Sequence, residues 1–426
     1  MVKAGDKVKI FYKEEVIEGV LMPEEKGFVN IKLISGYNIG LNKRNVKKIV
    51  LVKAKKKDKK VKKIVVKKKN IPTISILHTG GTIASKVDYE TGAVLAKFEP
   101  EELMDLFPEI KNLANINSRL IANIMSEDMR FSHYNLLAKK VAKEIKKGVK
   151  GVIITHGTDT LHYTSAALSF ILKNLPVPIL FVGAQRSSDR GSSDSALNLI
   201  SAVTFITNTD YRGVAICMHE NTDDKNSFVI NGCKARKMHS SRRDAFRPIN
   251  SGLIARVNNE KKNIKYFKKS NLKKGKFCLK LFNDKLKVGL LKLHTNMFSE
   301  EFLVFKNFNG LVIEGTGLGH APITEQDLAT KEHSKILGAV KLLAKKMPVV
   351  MTSQTIYGRV NMNVYSPGRK LQDAGVFGSY ADMTSETAFI KLVWLLSNHK
   401  KDVKKLFSKN LRGEISERSE EEDFLV

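Results

Sequence analysis

From residue 71 onward the chain alternates short apolar runs with longer amphipathic ones, and few architectures accept that pattern. "IPTISIL" (71–77), "GVIITHG" (151–157), "VPILFVGAQ" (177–185) and "GVAICMH" (213–219) are short and largely apolar, as strands buried on both faces are. Between them, "YNLLAKKVAKEIKK" (134–147), "YTSAALSFILKNL" (163–175) and "SALNLISAVTFIT" (195–207) carry apolar residues at helical spacing. Strand–helix alternation of this kind predicts a parallel sheet with helices on both faces. A second series starts with "DKLKVGLLKLH" (284–294). It continues through "GLVIEG" (310–315), the helix "HSKILGAVKLLAKK" (333–346), the strand "PVVMTSQ" (348–354) and a closing helix around Trp394. That predicts a second, smaller α/β domain.

Residues 1–52 follow a different period. "DKVKIFY" puts Val8, Ile10 and Tyr12 on one face, and "GFVNIKL" does the same with Val29, Ile31 and Leu33. Turn signals fall between them at Pro23-Glu24, Ser35-Gly36 and Asn38. Five short strands at this spacing predict a small SH3-like or OB-like β-barrel. Such barrels bind RNA, peptides or neighbouring subunits, so the fold alone decides no function. Next comes "KAKKKDKKVKKIVVKKK" (53–69), with eleven lysines in seventeen residues. It suits a solvated linker extended by self-repulsion, or a tract that contacts phosphate backbones. The expected organisation is therefore a barrel at 1–52, a lysine-rich linker at 53–70, an α/β domain with the catalytic site at 71–283, a second α/β domain at 284–400 and a charged tail at 401–426. The acidic end, "GEISERSEEEDFLV", is expected to fray.

The formal charge is +30, of which residues 1–70 carry +14. Such a balance points to an anionic partner, nucleic acid first, or to an organism whose proteins are generally rich in lysine. No apolar run approaches the length of a membrane span, and "MVKAGDKVKI" has none of the features of a signal peptide. Cys217, Cys233 and Cys278 are scattered without a CxxC pair, which favours three free thiols in a reducing cytoplasm. The histidines form no HExxH or other closely spaced set, so no metal is expected on this chain.

In open α/β sheets, ligands bind beyond the carboxyl ends of the strands. Two threonine-bearing turns sit at such ends: "HTGGT" (78–82) after "ISIL", and "THGTDT" (155–160) after "GVII". Thr82 and Thr158 are thereby candidates for one site, with the Asp159 carboxylate beside the second. Gly80, Gly81 and Gly157 let backbone approach a ligand closely and present N–H donors to an oxyanion. A threonine hydroxyl is a weak nucleophile until a base takes its proton, and an amine steered by a carboxylate is such a base. The lysines are too numerous for composition to choose one. A single threonine turn is as well explained by a helix cap, but two at successive strand ends, the second followed by Asp, point towards catalysis.

"ISILHTGGTIAS" and "GVIITHGTDTLHYTSAALSF" resemble the two signature segments of the L-asparaginase/glutaminase family. The similarity runs on through "VPILFVGAQR", "NLISAV", "RGVAI", "KMHSSRRDAF" and "GLVIEGTGLG", and so spans residues 71–398. It implies that Thr82 is the primary nucleophile and that Tyr89, in the loop after it, assists. It also implies that Thr158 and Asp159 form the second catalytic pair, with Lys237 as the lysine joined to them. Ser126 matches the serine of the substrate-carboxylate pocket, with Gly81 and Gly157 also facing substrate. Glu127 falls where the family usually has glutamine, which adds a carboxylate near the substrate's α-amino group. The implied reaction is hydrolysis of the side-chain amide of Asn or Gln, with release of ammonia.

The barrel, the basic tether and the body together are similar to the amidase subunits of archaeal tRNA-dependent amidotransferases. The matching segments are "GDKVKI" (5–10), "GYNIGL" (36–41) and "KMHSSRRDAFRPINSG" (237–252). That resemblance implies a homodimer within a heterotetramer, completed by the amidotransferase E subunit. The partner would hold most of the Glu-tRNA(Gln), together with ATP and Mg²⁺, and would use the ammonia to make Gln-tRNA(Gln). The chain itself has no GxxxxGK[ST] loop, and "GTGLGH" (315–320) is a weak glycine pattern. Two other classes fit parts of the sequence. A free-standing cytosolic L-asparaginase/glutaminase leaves residues 1–70 and Glu127 unexplained, and a non-catalytic RNA-binding protein leaves Thr82, Thr158, Asp159 and Lys237 unexplained.

Overall fold

The computed structural model describes residues 2–22, 27–33, 38–54, 70–81, 85–87, 94–96, 110–186, 193–267 and 275–424. Thr82, Tyr89 and the lysine tract at 55–69 lie outside the described residues.

The amino-terminal strands Lys7–Tyr12, Glu15–Leu21, Phe28–Leu33, Asn38–Asn42 and Val46–Lys53 form one antiparallel sheet. Across it the fourth, third, second and first strands lie in that order, with the fifth beside the first. Alternation puts Val8, Ile10, Val29 and Ile31 on the same face, where they form a small core with Leu41.

The main sheet has eight strands. Five of them, Asn115–Leu120, Thr73–His78, Gly151–Thr155, Pro178–Val182 and Gly213–His219, lie side by side and parallel in that spatial order. Every residue of Gly151–Thr155 and Pro178–Val182 is buried, because the helices Phe131–Lys146, Leu161–Ile171 and Ser195–Asn208 leave no face of these strands to solvent. Beyond these five strands the sheet changes direction. Asn226–Asn231, Ala255–Asn258 and Ile264–Tyr266 add antiparallel strands at its far edge. The connection between His219 and Asn226 is too short for a parallel crossover, which needs a dozen or more residues.

A second, parallel sheet is made of Val288–Lys292, Gly310–Gly315 and Val349–Ser353, covered by the helix Glu332–Lys346. The closing helix, Ser385–Asn398, is capped by Thr384, whose hydroxyl accepts from the Thr387 N–H. It packs against the helix Leu161–Ile171 of the first unit, with the Trp394 and Phe170 rings 5.5 Å apart, so the two units share one core. The acidic tail does not fray throughout. The Glu414 side chain is fully buried, 2.5 Å from the equally buried Lys391 ammonium, and accepts from the Leu411 and Arg412 N–H groups. A buried carboxylate needs such a partner, and this one ties residues 411–414 to the closing helix.

Candidate active site

The carboxyl ends of adjacent parallel strands meet at one edge of the main sheet. After Thr73–His78 the chain turns through Thr79, Gly80 and Gly81. After Gly151–Thr155 it turns through His156, Gly157, Thr158 and Asp159. The Thr79 N–H and hydroxyl both donate to the Thr155 carbonyl, which locks the two turns together. Gly80 and Gly81 have φ of +109° and +78°, values that L side chains rarely adopt. The contact is also too close for a side chain, since a Cβ on Gly81 would stand 2.4 Å from the Gly157 nitrogen.

Ser126 enters from the loop after Asn115–Leu120. A Cβ on Gly157 would lie 2.8 Å from the Ser126 Cβ, and the Thr160 hydroxyl donates to the Ser126 carbonyl at 2.5 Å. Ser126 is buried, and its hydroxyl donates to the exposed Glu127 carboxylate at 3.3 Å. Gly81, Gly157, Ser126 and Glu127 are thus gathered at one place.

Lys237 reaches the same place from a hairpin of Ala235–Lys237 with Phe246–Pro248. Its Nζ donates to Asp159 Oδ1 at 2.7 Å and to Thr158 Oγ1 at 2.9 Å. The Lys237 side chain is 9% exposed, whereas that of Asp159 is 66% exposed. The amine is therefore screened from water while the carboxylate that steers it keeps contact with solvent. Arg236 pairs with the buried Glu386 at 3.2 Å, and His162 Nε2 stands 3.9 Å from the same carboxylate. Burial pushes the imidazoles of His78, His156 and His162 down to about 4, so all three are neutral at pH 7. Two of them, His78 and His156, serve as fixed hydrogen-bonding groups. His78 joins Thr155 to Ser118, and His156 joins the Gly157 carbonyl to Thr164.

A hydroxyl held by an amine that is itself held by a carboxylate is the arrangement that moves protons in acyl transfer. Comparison with known proteins then decides the family. Residues 73–271 match the model for the amino-terminal part of asparaginases, residues 287–407 the glutaminase/asparaginase C-terminal domain, and residues 2–52 the GatD N-terminal domain. The D subunit of the glutamyl-tRNA(Gln) amidotransferase from Pyrococcus furiosus is 44% identical over 100% of this chain and 98% of its own length. Its counterpart from Methanococcus maripaludis is 43% identical over 97% of this chain and 98% of its own length. The chain belongs to the family of glutamyl-tRNA(Gln) amidotransferase D subunits. Among solved structures, the thermostable L-asparaginase from Thermococcus kodakarensis is 29% identical with a TM-score of 0.71, covering 81% of this chain and 99% of that one. L-asparaginase I from Vibrio cholerae is 27% identical with a TM-score of 0.68, over 81% and 99% of the two chains.

In this member of the D-subunit family, Thr158, Asp159 and Lys237 form a hydrogen-bonded cluster. Thr82 follows directly on Gly81 but, like Tyr89, lies outside the described residues. Two residues to which the sequence assigned no role also stand at this cluster. Gln185, from the turn after Pro178–Val182, has its Oε1 3.5 Å from Thr158 Oγ1. The carboxylate of the buried Asp194 accepts from the Gln185 and Arg186 N–H groups. A lone Gln or Asp carries no spacing signal, and only the register of the strands brings Gln185 to Thr158. Among the described residues no group of three or more His, Cys, Asp or Glu is placed to hold a metal ion. None of the described helices is long and apolar enough to cross a membrane.

Proposed function

We propose that this chain is the ammonia-generating subunit of a glutamyl-tRNA(Gln) amidotransferase. The observation that carries this is the Lys237 amine bridging Thr158 and Asp159, on a chain that is similar over its whole length to amidotransferase D subunits. A free-standing asparaginase is not favoured, because the GatD N-terminal domain match at residues 2–52 adds a unit that such an enzyme does not require.

Hydrolysis begins when the Thr82 oxygen attacks the side-chain carbonyl carbon of Gln or Asn. Backbone N–H groups of the glycine turns stabilise the oxyanion. Lys237, steered by Asp159, takes up a proton and returns it to the departing nitrogen, and ammonia leaves. Water then releases the acyl group, with Thr158 and Lys237 handling its proton. Ser126 and Glu127 bind the substrate's carboxylate and amino ends, and Tyr89 assists Thr82. A homodimer of this chain joins two E subunits, and the partner holds ATP, Mg²⁺ and most of the Glu-tRNA(Gln). The assembled complex is a carbon–nitrogen ligase with an amide donor, and its setting is the cytoplasm.

The test is reconstitution with the E subunit, ATP and Glu-tRNA(Gln), scoring Gln-tRNA(Gln). Thr158→Val and Lys237→Met should abolish product when glutamine or asparagine is the donor and leave it intact when ammonium chloride is supplied. Loss with both donors would contradict the assigned role.

A further inference from the structure

A lysine ammonium has three N–H donors and no acceptor. At 2.9 Å, protonated Lys237 therefore makes Thr158 Oγ1 the acceptor, and the hydroxyl's own proton must point elsewhere. The acceptor it meets is Gln185 Oε1, at 3.5 Å. The threonine is not free to turn away from this arrangement. A Cβ on Gly183 would stand 2.8 Å from Thr158 Cγ2, so the methyl group is pressed into the bare backbone of the strand end that also carries Gln185. Three strands thus clamp one hydroxyl.

Gln185 is itself held. Its N–H donates to both Asp194 carboxylate oxygens at 3.0 Å, and Asn198 Nδ2 donates to the same carboxylate at 3.3 Å. Asn198 Oδ1 lies 2.6 Å from Nδ1 of the fully buried His219. Among the described residues, Gln185 Nε2 is buried with no hydrogen-bond partner. The bond to Thr158 is thus, among the described residues, the one that orients the carboxamide.

We propose that Gln185 is a positioning residue that parks the Thr158 proton and thereby controls its transfer to Lys237. With Lys237 protonated, the hydrogen bonds run from lysine to threonine to glutamine. For Lys237 to receive the proton of Thr158 it must be neutral, and the O–H must leave Gln185. The glutamine carbonyl consequently holds that proton back from the lysine. Among the described residues, the other charged and titratable groups around Lys237 are Asp159, Arg236 with its partner Glu386, and His162, which is neutral above about pH 4. This inference rests on amide hydrolysis being the chain's activity.

The test is ammonia release by the chain assembled with the E subunit, measured across pH for wild type, Gln185→Met and Gln185→Glu. Methionine removes the acceptor and should move the acid limb of the kcat profile to lower pH. Glutamate keeps an acceptor and adds negative charge, and should move it to higher pH. Each displacement is expected to be about half a pH unit or more. Opposite displacements cannot arise from partial misfolding, and if the methionine variant fails to fold, the glutamate shift alone decides. Limbs that superimpose on wild type, or that move in the same direction, overturn the role of Gln185 alone. A wild-type complex that releases no ammonia overturns amide hydrolysis itself.

Discussion

Gly81 and Gly157 stand backbone against backbone, so that a Cβ on Gly81 would lie 2.6 Å from the Gly157 Cα. Each directly precedes a candidate catalytic threonine, Thr82 and Thr158. Gly81→Ala would strain a residue at φ +78° and push the two turns apart. We expect at least about 2 kcal/mol lost in chemical denaturation and amide hydrolysis near background. A stable, active variant would mean that the turns tolerate separation.

Lys237→Met should lower ammonia release by about 10²–10⁴-fold, the usual contribution of a positioned proton carrier. Asp159→Asn should cost less, because the carboxylate orients an amine that Thr158 also holds. Steady-state assays with matched circular dichroism spectra would check both. Equal losses in the two variants would argue that Asp159 does more than steer.

His78, His156 and His162 give a pH dependence with a definite sign. Their native imidazoles are held at about 4, against an ordinary value of 6.5 in the unfolded chain. Between those values the unfolded chain binds protons that the native one refuses. Stability therefore falls as pH is lowered from about 6.5 towards 4, and the three groups contribute no slope above that window. Each adds up to about 1.4 kcal/mol per pH unit. Urea midpoints from pH 7.5 to 4.5 should show this fall, and His156→Gln should flatten it. An unchanged slope would count against burial as its cause.

The pattern from residue 71 onward was enough for the parallel sheet and its helices, because strands buried on both faces must be apolar throughout. It could not reveal the antiparallel edge, where Asn226–Asn231 and Ala255–Asn258 look like any other strands. Thr158 and Asp159 were legible as a strand-end turn. Lys237 was not, in a chain this rich in lysine, until a family resemblance singled it out. Gln185 lay in a segment that matched the family but drew no role of its own, and Asp194 drew none either, since their place depends on strand register. Glu414 reads like its acidic neighbours, because its partner Lys391 lies more than twenty residues away in an apolar helix.

That pair gives its own prediction. Lys391→Met leaves Glu414 buried and unpaired, and should cost about 3–5 kcal/mol. Adding Glu414→Leu should recover only part of this, because the N–H groups of Leu411 and Arg412 then lose their acceptor. A double-mutant cycle by guanidinium denaturation reads both. A double variant as stable as wild type would show that the two backbone contacts contribute little.

On the proposed function, this chain supplies ammonia to a tRNA-bound acceptor. The most direct measurement is ammonia release from glutamine and from asparagine by the purified chain, alone and then with the E subunit, ATP and Glu-tRNA(Gln). Weak release by the chain alone, rising sharply when the partner and the charged tRNA are added, is the predicted result. Brisk hydrolysis that ignores both additions would contradict it and leave a free-standing asparaginase.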